Sequence, residues 1–343
     1  MKKILFFLLL WYSGFCYAQL SQVRVTEIPA ISQLPVSAIT CIYEDTEGYM
    51  WYGTVDGLCR DDGYSVHVFR SDFHTPGLMD INSVLCITED KQHRLWFGTQ
   101  KGVYILDKST YAITRLDVAE LQTEPVSKML VRANGDIWIA CRNFVYEFDA
   151  QGKLRKRHQL SSECTVLYED SQQRLYYATW FGEFFVRDKM SPARLLHPHM
   201  SVKGMCEDRH TGCFWLLTGG SEVWYFNPKG STVQSRFVQQ QIPASLRGAL
   251  FRQVVQDPRY HYLWVLAWDH IHVLRPAGNN QLEQISADGV FTPEKKTVSN
   301  IIQTREGDIW VAAFDAPSSV ICFKGNDFRS FSWQPQMQAT GYN

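Results

Sequence analysis

The sequence lacks an excess of either charge. Its 343 residues include 34 Lys and Arg against 35 Asp and Glu, which gives a formal net charge of −1. Because polyanions are attracted by a net positive field, this balance argues against nucleic acid as a partner. CxxC and CxxH spacings are also missing among the nine cysteines, which argues against a zinc site. We therefore expect neither a metal nor a cofactor.

Apolar runs of membrane-spanning length are missing as well. The N-terminal run from Ile4 to Trp11 is about eight residues long, whereas a spanning helix needs about 20. Lys2 and Lys3 precede this run, and Cys16-Tyr17-Ala18 follows it as a small-x-small cleavage pattern. We interpret residues 1–18 as a cleaved signal peptide. The remaining 325 residues then form a soluble, exported protein of the periplasm.

The sequence does contain a repeat marked by aromatic residues. Seven aromatic residues, six of them Trp, each follow an apolar strand and a tight polar turn, at intervals of 45, 42, 38, 39, 49 and 46 residues. This period is too long for one hairpin and fits a unit of four short strands. No helix-period pattern competes with it after residue 20, so we predict an all-β fold, a seven-bladed β-propeller of four-stranded antiparallel blades over residues 19–333. The seven positions are Trp51, Trp96, Trp138, Tyr176, Trp215, Trp264 and Trp310.

The first repeat shows the expected order of strands. Ala38 to Tyr43 is a nearly continuous apolar run, as expected of an inner strand packed on both faces. Glu44 to Gly48 is the turn, in which Asp45 can accept hydrogen bonds from backbone N–H groups. The second strand carries Trp51, and a large flat side chain there fills the gap to the neighbouring wedge-shaped blade. We therefore assign all six Trp of the repeat to the core.

The N-terminal segment predicts how the ring closes. Gln22 to Thr26 alternates polar and apolar residues and precedes the first inner strand, which is the place of an outer strand in the repeat order. We predict that it completes the seventh blade beside Ile321 to Phe323 and leaves no exposed edge. Phe328 to Trp333 competes for the same position.

Eight cysteines remain after cleavage of the signal peptide. Cys41 and Cys86 occupy the same inner-strand position in successive repeats, where cysteine behaves as a small buried hydrophobic residue. Inner strands of neighbouring blades could bring a pair together, but we expect free buried thiols rather than disulfides.

Two segments resemble a known family, the two-component regulator propeller repeat. They are residues 37–58, with Trp51-Tyr52-Gly53-Thr54, and residues 82–103, with Trp96-Phe97-Gly98-Thr99. The repeat builds the extracytoplasmic sensor region of hybrid two-component system proteins (hybrid sensor histidine kinase/response regulators) in glycan-degrading Bacteroidetes-type bacteria. The resemblance extends over about residues 34 to 325 and weakens in the fourth to sixth repeats.

The resemblance implies a function and a set of partners. It implies a propeller that senses a ligand, expected to be an oligosaccharide, and signals to a histidine kinase outside this chain. Family members continue into a second propeller, an immunoglobulin-like domain, a membrane helix and the kinase, and we expect a homodimer in the full-length sensor, anchored in the inner membrane. We interpret residues 334–343 as a connection to such a second domain.

Aromatic residues in the loops between second and third strands indicate a ligand site. These loops meet at one mouth of the central channel, and small polar residues are usual in them. Sugar rings stack on aromatic faces while their hydroxyls bond to carboxylate and guanidinium groups. The alternative is that the aromatic residues pack on one another and close the channel. The candidate residues are Asp56, Gln100, Arg142, Trp180, Phe181, Trp268, Asp269, Phe314 and Asp315.

An exported enzyme acting on polysaccharides, a glycoside hydrolase or a lyase, is the alternative function. It would need two of the carboxyls of Asp56, Asp269 and Asp315 to lie about 5–10 Å apart across an open pocket. No acid and base with tuned environments can be identified in the sequence. We therefore predict a binding protein with no catalytic residue.

Two further patterns are less specific. His270 and His272 lie two apart on one predicted strand, and without a third ligand we interpret them as an exposed pair rather than a metal site. Lys153 to His158 is the one strong basic run, predicted on the outer strand of the third blade. Charged outer strands protect a sheet from edge pairing. Binding of a sulfated or uronate-bearing glycan is the other interpretation of this run.

Overall fold

The chain folds into a ring of seven antiparallel sheets. The computed structural model describes residues 23–26, 28–71, 73, 77–188, 191–268, 270–285, 297–314 and 320–328. Each sheet has four strands, and in six sheets these follow one another in chain order. The predicted seven-bladed β-propeller is confirmed.

The strands of the first four blades are short and regular. Blade 1 contains β2 (Ile39–Glu44), β3 (Met50–Thr54), β4 (Gly57–Asp61) and β5 (Val66–Phe69). Blade 2 contains β6 (Val84–Glu89), β7 (Arg94–Thr99), β8 (Gly102–Asp107) and β9 (Ile113–Arg115). Blade 3 contains β10 (Val126–Val131), β11 (Ile137–Cys141), β12 (Phe144–Phe148) and β13 (Leu154–Gln159), and blade 4 contains β14 (Cys164–Glu169), β15 (Arg174–Thr179), β16 (Phe184–Asp188) and β17 (Arg194–His197).

The last three blades follow the same plan. Blade 5 contains β18 (Val202–Asp208), β19 (Cys213–Thr218), β20 (Val223–Phe226) and β21 (Phe237–Gln239). Blade 6 contains β22 (Phe251–Gln256), β23 (Leu263–Ala267), β24 (Ile271–Pro276) and β25 (Leu282–Gln284). Blade 7 contains β26 (Val298–Gln303), β27 (Ile309–Ala313), β28 (Val320–Phe328) and β1 (Val23–Thr26).

Helix is scarce in the described part of the chain. It consists of α1 (Val233–Arg236) and three short 3-10 segments, Pro29–Gln33, Ala119–Leu121 and Ala244–Leu246. None of these described helices is long and apolar enough to cross a bilayer.

The N-terminal strand closes the ring as predicted. Strand β1 pairs antiparallel with β28, with Val25 opposite Phe323 and Thr26 opposite Cys322. Phe328, from the competing segment, ends the third strand of the blade opposite Val23, and residues 329–333 lie outside the described residues. The outer strand of the last blade therefore comes from the start of the chain.

A second set of contacts that closes the ring involves a side chain of the inner strand β26. The Asn300 side chain on β26 donates to Gln253 Oε1 of blade 6 at 3.1 Å. Its Oδ1 accepts the backbone N–H of Ile42 in blade 1, also at 3.1 Å. Asn300 thus links the sixth, seventh and first blades through a single side chain.

The recurrent aromatic residue of each second strand packs against the following blade. Trp51 lies in one apolar cluster with Leu95 and Phe97 of blade 2, and the corresponding residue makes this contact at all seven junctions. Trp51, Trp96, Trp138 and Trp264 are at most 1% exposed. The predicted core role therefore holds for these four, and Trp215 is also buried.

Trp310 differs from the other five Trp of the repeat because it is only half buried. It packs against the cluster that joins blades 7 and 1 without entering the buried part of that cluster. Trp51, by contrast, lies inside its cluster and stacks on Phe69 of its own blade, with 5.9 Å between the ring centroids. Trp310 therefore packs against the core, as assigned, but is less buried than the other five Trp.

The Glu-Asp pairs that end four inner strands have two separate roles. Asp45 holds its own blade, since Oδ1 accepts the N–H groups of Glu47 and Tyr49 at 3.0 Å and Oδ2 accepts Trp51 Nε1 at 2.9 Å. Glu89 instead reaches back to blade 1 and accepts the N–H of Thr46 at 2.7 Å. The same contact to the preceding blade is made by Glu44, Glu169 and Glu207.

The glycine of the Trp-aromatic-Gly-Thr motif allows two blades to approach closely. A Cβ atom on Gly98 would lie 2.6 Å from Val126 Cγ1 of blade 3 and 2.8 Å from Cys86 Sγ. A Cβ on Gly53 would lie 2.5 Å from Cys41 Sγ. Any larger residue would push the neighbouring inner strand away.

The eight cysteines of the described residues are free thiols, as expected. All are buried except Cys86, which is half buried. Burial raises the pKa of Cys41, Cys59 and Cys164 to about 12, because a thiolate would lose its hydration inside the ring.

Truncation of a fully buried Trp should strongly destabilise the ring. We expect Trp51→Ala or Trp96→Ala to lower the free energy of unfolding by about 3–5 kcal/mol, because each leaves a large cavity. Trp180→Ala is the matched control, since that side chain is 58% exposed. Thermal and chemical denaturation measure the difference, and equal losses for both kinds of variant would contradict the core assignment.

The thiols should be unreactive in the native protein. Burial shields most of the thiols from a reagent. For Cys41, Cys59 and Cys164 it also raises the pKa to about 12, so these three carry little of the reactive thiolate at pH 8. We expect a chromogenic disulfide reagent to label the native protein slowly and every thiol of the unfolded protein at once. Rapid labelling of several thiols without unfolding would contradict this expectation.

Candidate functional site

The loops between second and third strands lie at one end of the ring. In blade 4, the Trp180 N–H donates to the carbonyl of Glu163 at 2.9 Å, immediately before the inner strand β14. Equivalent bonds connect Val55 to Ala38, Gln100 to Ser83, Trp268 to Leu250 and Phe314 to Thr297. These loops and the starts of the inner strands therefore form one face, called the mouth below.

Trp180 is an exposed aromatic side chain held over a cation. Its ring is 58% exposed, and the Nζ atom of Lys203 lies 3.2 Å from the ring centroid. Lys203 is the second residue of the inner strand β18 in the next blade. Burial lowers the pKa of Lys203, and the ring offers the ammonium group a cation–π partner in place of water. The loop is also fixed by Ser201, whose hydroxyl donates to the carbonyl of Trp180 at 2.8 Å.

Trp268 repeats this arrangement in blade 6. Its side chain is 54% exposed, and the guanidinium carbon of Arg252 lies 4.9 Å from the ring centroid. Arg252 is the second residue of the inner strand β22 and also donates to the carbonyl of Val298 at 3.2 Å. The mouth thus carries two exposed Trp side chains, each paired with a cation from the channel wall.

The other aromatic candidates differ in exposure. Phe181, beside Trp180, is 73% exposed, whereas Phe314 is half buried. No ring contact joins Trp180, Phe181 and Trp268 to one another among the described residues. Their exposure favours a surface open to a ligand over the alternative of mutual packing.

Two of the charged candidates, Asp56 and Arg142, lie in mouth loops and are engaged in local contacts. Asp56 accepts from Arg70 at 2.6 Å and from Asn82 at 3.1 Å. Arg142 is paired with Glu124. Gln100 is exposed. Asp269 and Asp315 lie outside the described residues.

The channel wall near the mouth is cationic. The first four residues of the seven inner strands include Lys128, Lys203 and Arg252 and no Asp or Glu. Burial lowers the pKa of Lys128 and of Arg252. The inner-strand glutamates, by contrast, stand at the opposite ends of their strands. This distribution favours a ligand with hydroxyl or carboxylate oxygens over a cationic one.

Sequence reasoning missed Lys203 and Arg252. Each is a basic residue at the second position of an inner strand, where the strand contains a β-bulge against its partner. The charge at that position is the feature of the sequence from which these two residues could have been predicted. Its link to a Trp in a loop could only come from the three-dimensional arrangement.

The described residues contain no cluster of three or more His, Cys, Asp or Glu side chains that could hold a metal ion. His270 is exposed and His272 half buried, and their ring centroids lie 6.3 Å apart. The basic run lies on the exposed outer strand β13, as predicted, except for Lys153 in the hairpin before it.

Comparison with solved structures shows the same fold in bacterial sensors. The chain superposes on the extracellular domain of hybrid two component system BT3049 from B. thetaiotaomicron with a TM-score of 0.68 and 16% identity, covering 90% of this chain and 42% of that one. For BT4673 from the same organism, the TM-score is 0.67 at 16% identity, with 88% and 40% covered. The chain thus spans about two fifths of the length of these sensor domains.

Enzymes share the fold too. Virginiamycin B lyase from Staphylococcus aureus matches with a TM-score of 0.66 at 14% identity, covering 88% of this chain and 98% of the lyase. Identities this low show a common fold only. Among curated protein sequences, none matches this chain.

The repeat itself is identified from the sequence of the first two blades. The family model described as "Two component regulator propeller" matches residues 33–56 and 79–101. These ranges contain the inner strand, the Glu-Asp turn and the Trp strand of blades 1 and 2. The chain is therefore a seven-bladed propeller whose first two blades match the two-component regulator propeller repeat.

Proposed function

We propose that this chain is the ligand-sensing propeller of an extracytoplasmic two-component sensor and that it binds an oligosaccharide at the mouth. The observation that carries the proposal is the pair of exposed Trp side chains, each held over a cation, in a chain with this repeat. A histidine kinase outside this chain would receive the signal. A second propeller, further sensor domains and a second copy of the sensor are the expected partners.

The geometry of each Trp suits a sugar ring. A cation occupies one side of the Trp180 ring, and more than half of the side chain remains exposed. The C–H face of a pyranose can stack on the exposed side, while Lys203 and Arg252 supply donors for hydroxyl or carboxylate oxygens. Because the loop backbones are bonded to the inner strands, the rings are held in place before the ligand binds.

Localisation in the periplasm belongs to the same proposal. It is supported by the extracellular origin of the two sensor domains that share the fold and by the signal-peptide pattern of residues 1–18, which lie outside the described residues.

An enzymatic function is the weaker alternative. Propellers of this fold include a lyase, but Asp56, the one described member of the predicted carboxylate set, is already bonded to Arg70 and Asn82. A general acid or base needs a free position next to the substrate.

Removal of the two exposed Trp side chains should weaken ligand binding without unfolding the ring. Calorimetry of the full chain against plant and host oligosaccharides should find a ligand, and Trp180→Ala with Trp268→Ala should reduce its affinity at least about tenfold, or about 1.4 kcal/mol. Tyr64→Ala is the control, because Tyr64 is 91% exposed in the hairpin between β4 and β5, at the opposite end of the blade. Unchanged affinity in the double variant would refute the mouth as the site.

Mass analysis of the recovered oligosaccharide separates binding from catalysis. The proposal predicts that the sugar is returned intact after prolonged incubation. Shortened or unsaturated products would assign the chain to the hydrolase or lyase class instead.

The cation beneath Trp180 should discriminate between acidic and neutral ligands. Lys203→Met keeps the apolar stem and removes the charge, so we expect it to weaken binding of an acidic oligosaccharide more than that of a neutral one. Lys153→Met, in the hairpin before β13, should affect neither. Equal effects of Lys203→Met on both ligands would show that the ammonium serves only to hold Trp180.

A further inference from the structure

A second polar cleft lies between blades 3 and 4, away from the mouth. It has a volume of about 210 Å³, and its lining includes Trp138, Lys156, His158, Tyr177 and Arg187. The described lining residues, which also include Ser191, Pro192 and Ala193, contain no Asp or Glu. The cleft is smaller than the roughly 300–1,000 Å³ of drug-sized sites, which suits a single sugar residue or an inorganic anion.

The residues of the basic run lie in two different environments in the fold. Arg155 is paired with Asp136 at 3.2 Å, and Arg157 with Glu120 at 3.8 Å. Lys156 and His158 instead line the cleft. Lys156 makes no ion pair or hydrogen bond within the described part of the chain, so its charge is available to a ligand. The basic run is thus not a uniformly solvated face.

Arg187 from blade 4 adds a second fixed cation. Its guanidinium donates to Glu147 Oε2 at 2.9 Å and lies over the Trp138 ring at 5.1 Å from the centroid. His158 stacks on the same ring at 5.2 Å and contacts the same carboxylate oxygen at 3.2 Å. Glu147 thereby orients both groups at the cleft. Lys156 adds a third basic group, and it is the one that no described carboxylate pairs.

The floor of the cleft is aromatic. Trp138 is 1% exposed and Tyr177 7% exposed, so the cleft meets only a small part of each side chain. The Tyr177 hydroxyl makes no hydrogen bond to another described residue. Burial raises the pKa of Tyr177 to about 12, so that the hydroxyl remains a donor at neutral pH.

We propose that this cleft binds the anionic group of an acidic sugar, a carboxylate or a sulfate ester. Lys156 and Arg187 supply the positive charge, and the Tyr177 hydroxyl donates a hydrogen bond. The positive charges attract the anion, and hydrogen bonds from the fixed groups hold it in one orientation. This second site is independent of the mouth, and its test does not depend on the function proposed for the mouth.

The test uses the full chain and three small probes. Calorimetry at low ionic strength compares inorganic sulfate, methyl glucuronide and neutral methyl glucoside. We expect saturable binding of at least one anion and none of methyl glucoside. Stronger binding of sulfate would point to a sulfate ester as the natural group, and stronger binding of the glucuronide to a uronate.

Three variants locate the site. Lys156→Ala should weaken anion binding at least tenfold. Lys156 is the decisive residue because it is on an exposed strand, whereas removing Arg187 would leave the buried Glu147 without its main partner. Lys153→Ala, in the same basic run but outside the cleft, should bind like the wild type. Trp180→Ala with Trp268→Ala should also leave anion binding unchanged.

Several results would overturn the proposal. Absence of saturable binding by the wild type, or unchanged binding by Lys156→Ala, would show that the cleft is not an anion site. Equal weakening by Lys153→Ala would indicate a diffuse charge effect. Loss of anion binding in the double Trp variant would place the anion at the mouth instead.

Discussion

Packing between neighbouring blades is the constraint on which the rest of this structure depends. A four-stranded blade has two apolar faces and cannot bury either of them alone. Each junction therefore has its own apolar cluster, built around a Trp or Tyr from one blade and the second strand of the next. Because the clusters form a closed cycle, an open junction would expose two faces at once.

Polar contacts also hold neighbouring blades together. Glutamates at the ends of four inner strands accept backbone N–H groups of the preceding blade. Lys108 strengthens the first junction, where it lies 3.0 Å from Asp45 and 2.7 Å from Glu89. At the seventh junction, Asn300 and the pairing of β1 with β28 join the two ends of the chain. The mouth loops are hydrogen-bonded to residues at the starts of the same inner strands, so closure of the ring also positions Trp180 and Trp268.

Much of the fold could be predicted from sequence because the repeat is physically simple. The spacing of the aromatic residues gave the number of blades, and the alternation in Val23–Thr26 gave the closing strand. The spacing did not predict that Trp310 would be less buried than the other five Trp, because equal positions in the repeat do not fix how completely neighbouring side chains cover a residue. The site was harder to predict. Loop position identified Trp180 and Trp268, but their cations come from inner strands, one of them in another blade. The division of the basic run likewise depends on which side of β13 each residue faces.

Hydrogen exchange resolved by mass spectrometry tests the closed ring most directly. If the seven junctions stabilise one another, the amides of the second strands in all blades should open with a common free energy, including β27 in the blade completed by the N-terminal strand. Markedly faster exchange of β27 and β28 than of β3 and β7 would contradict the account. It would show that the seventh blade opens separately and that the ring does not depend on its closure.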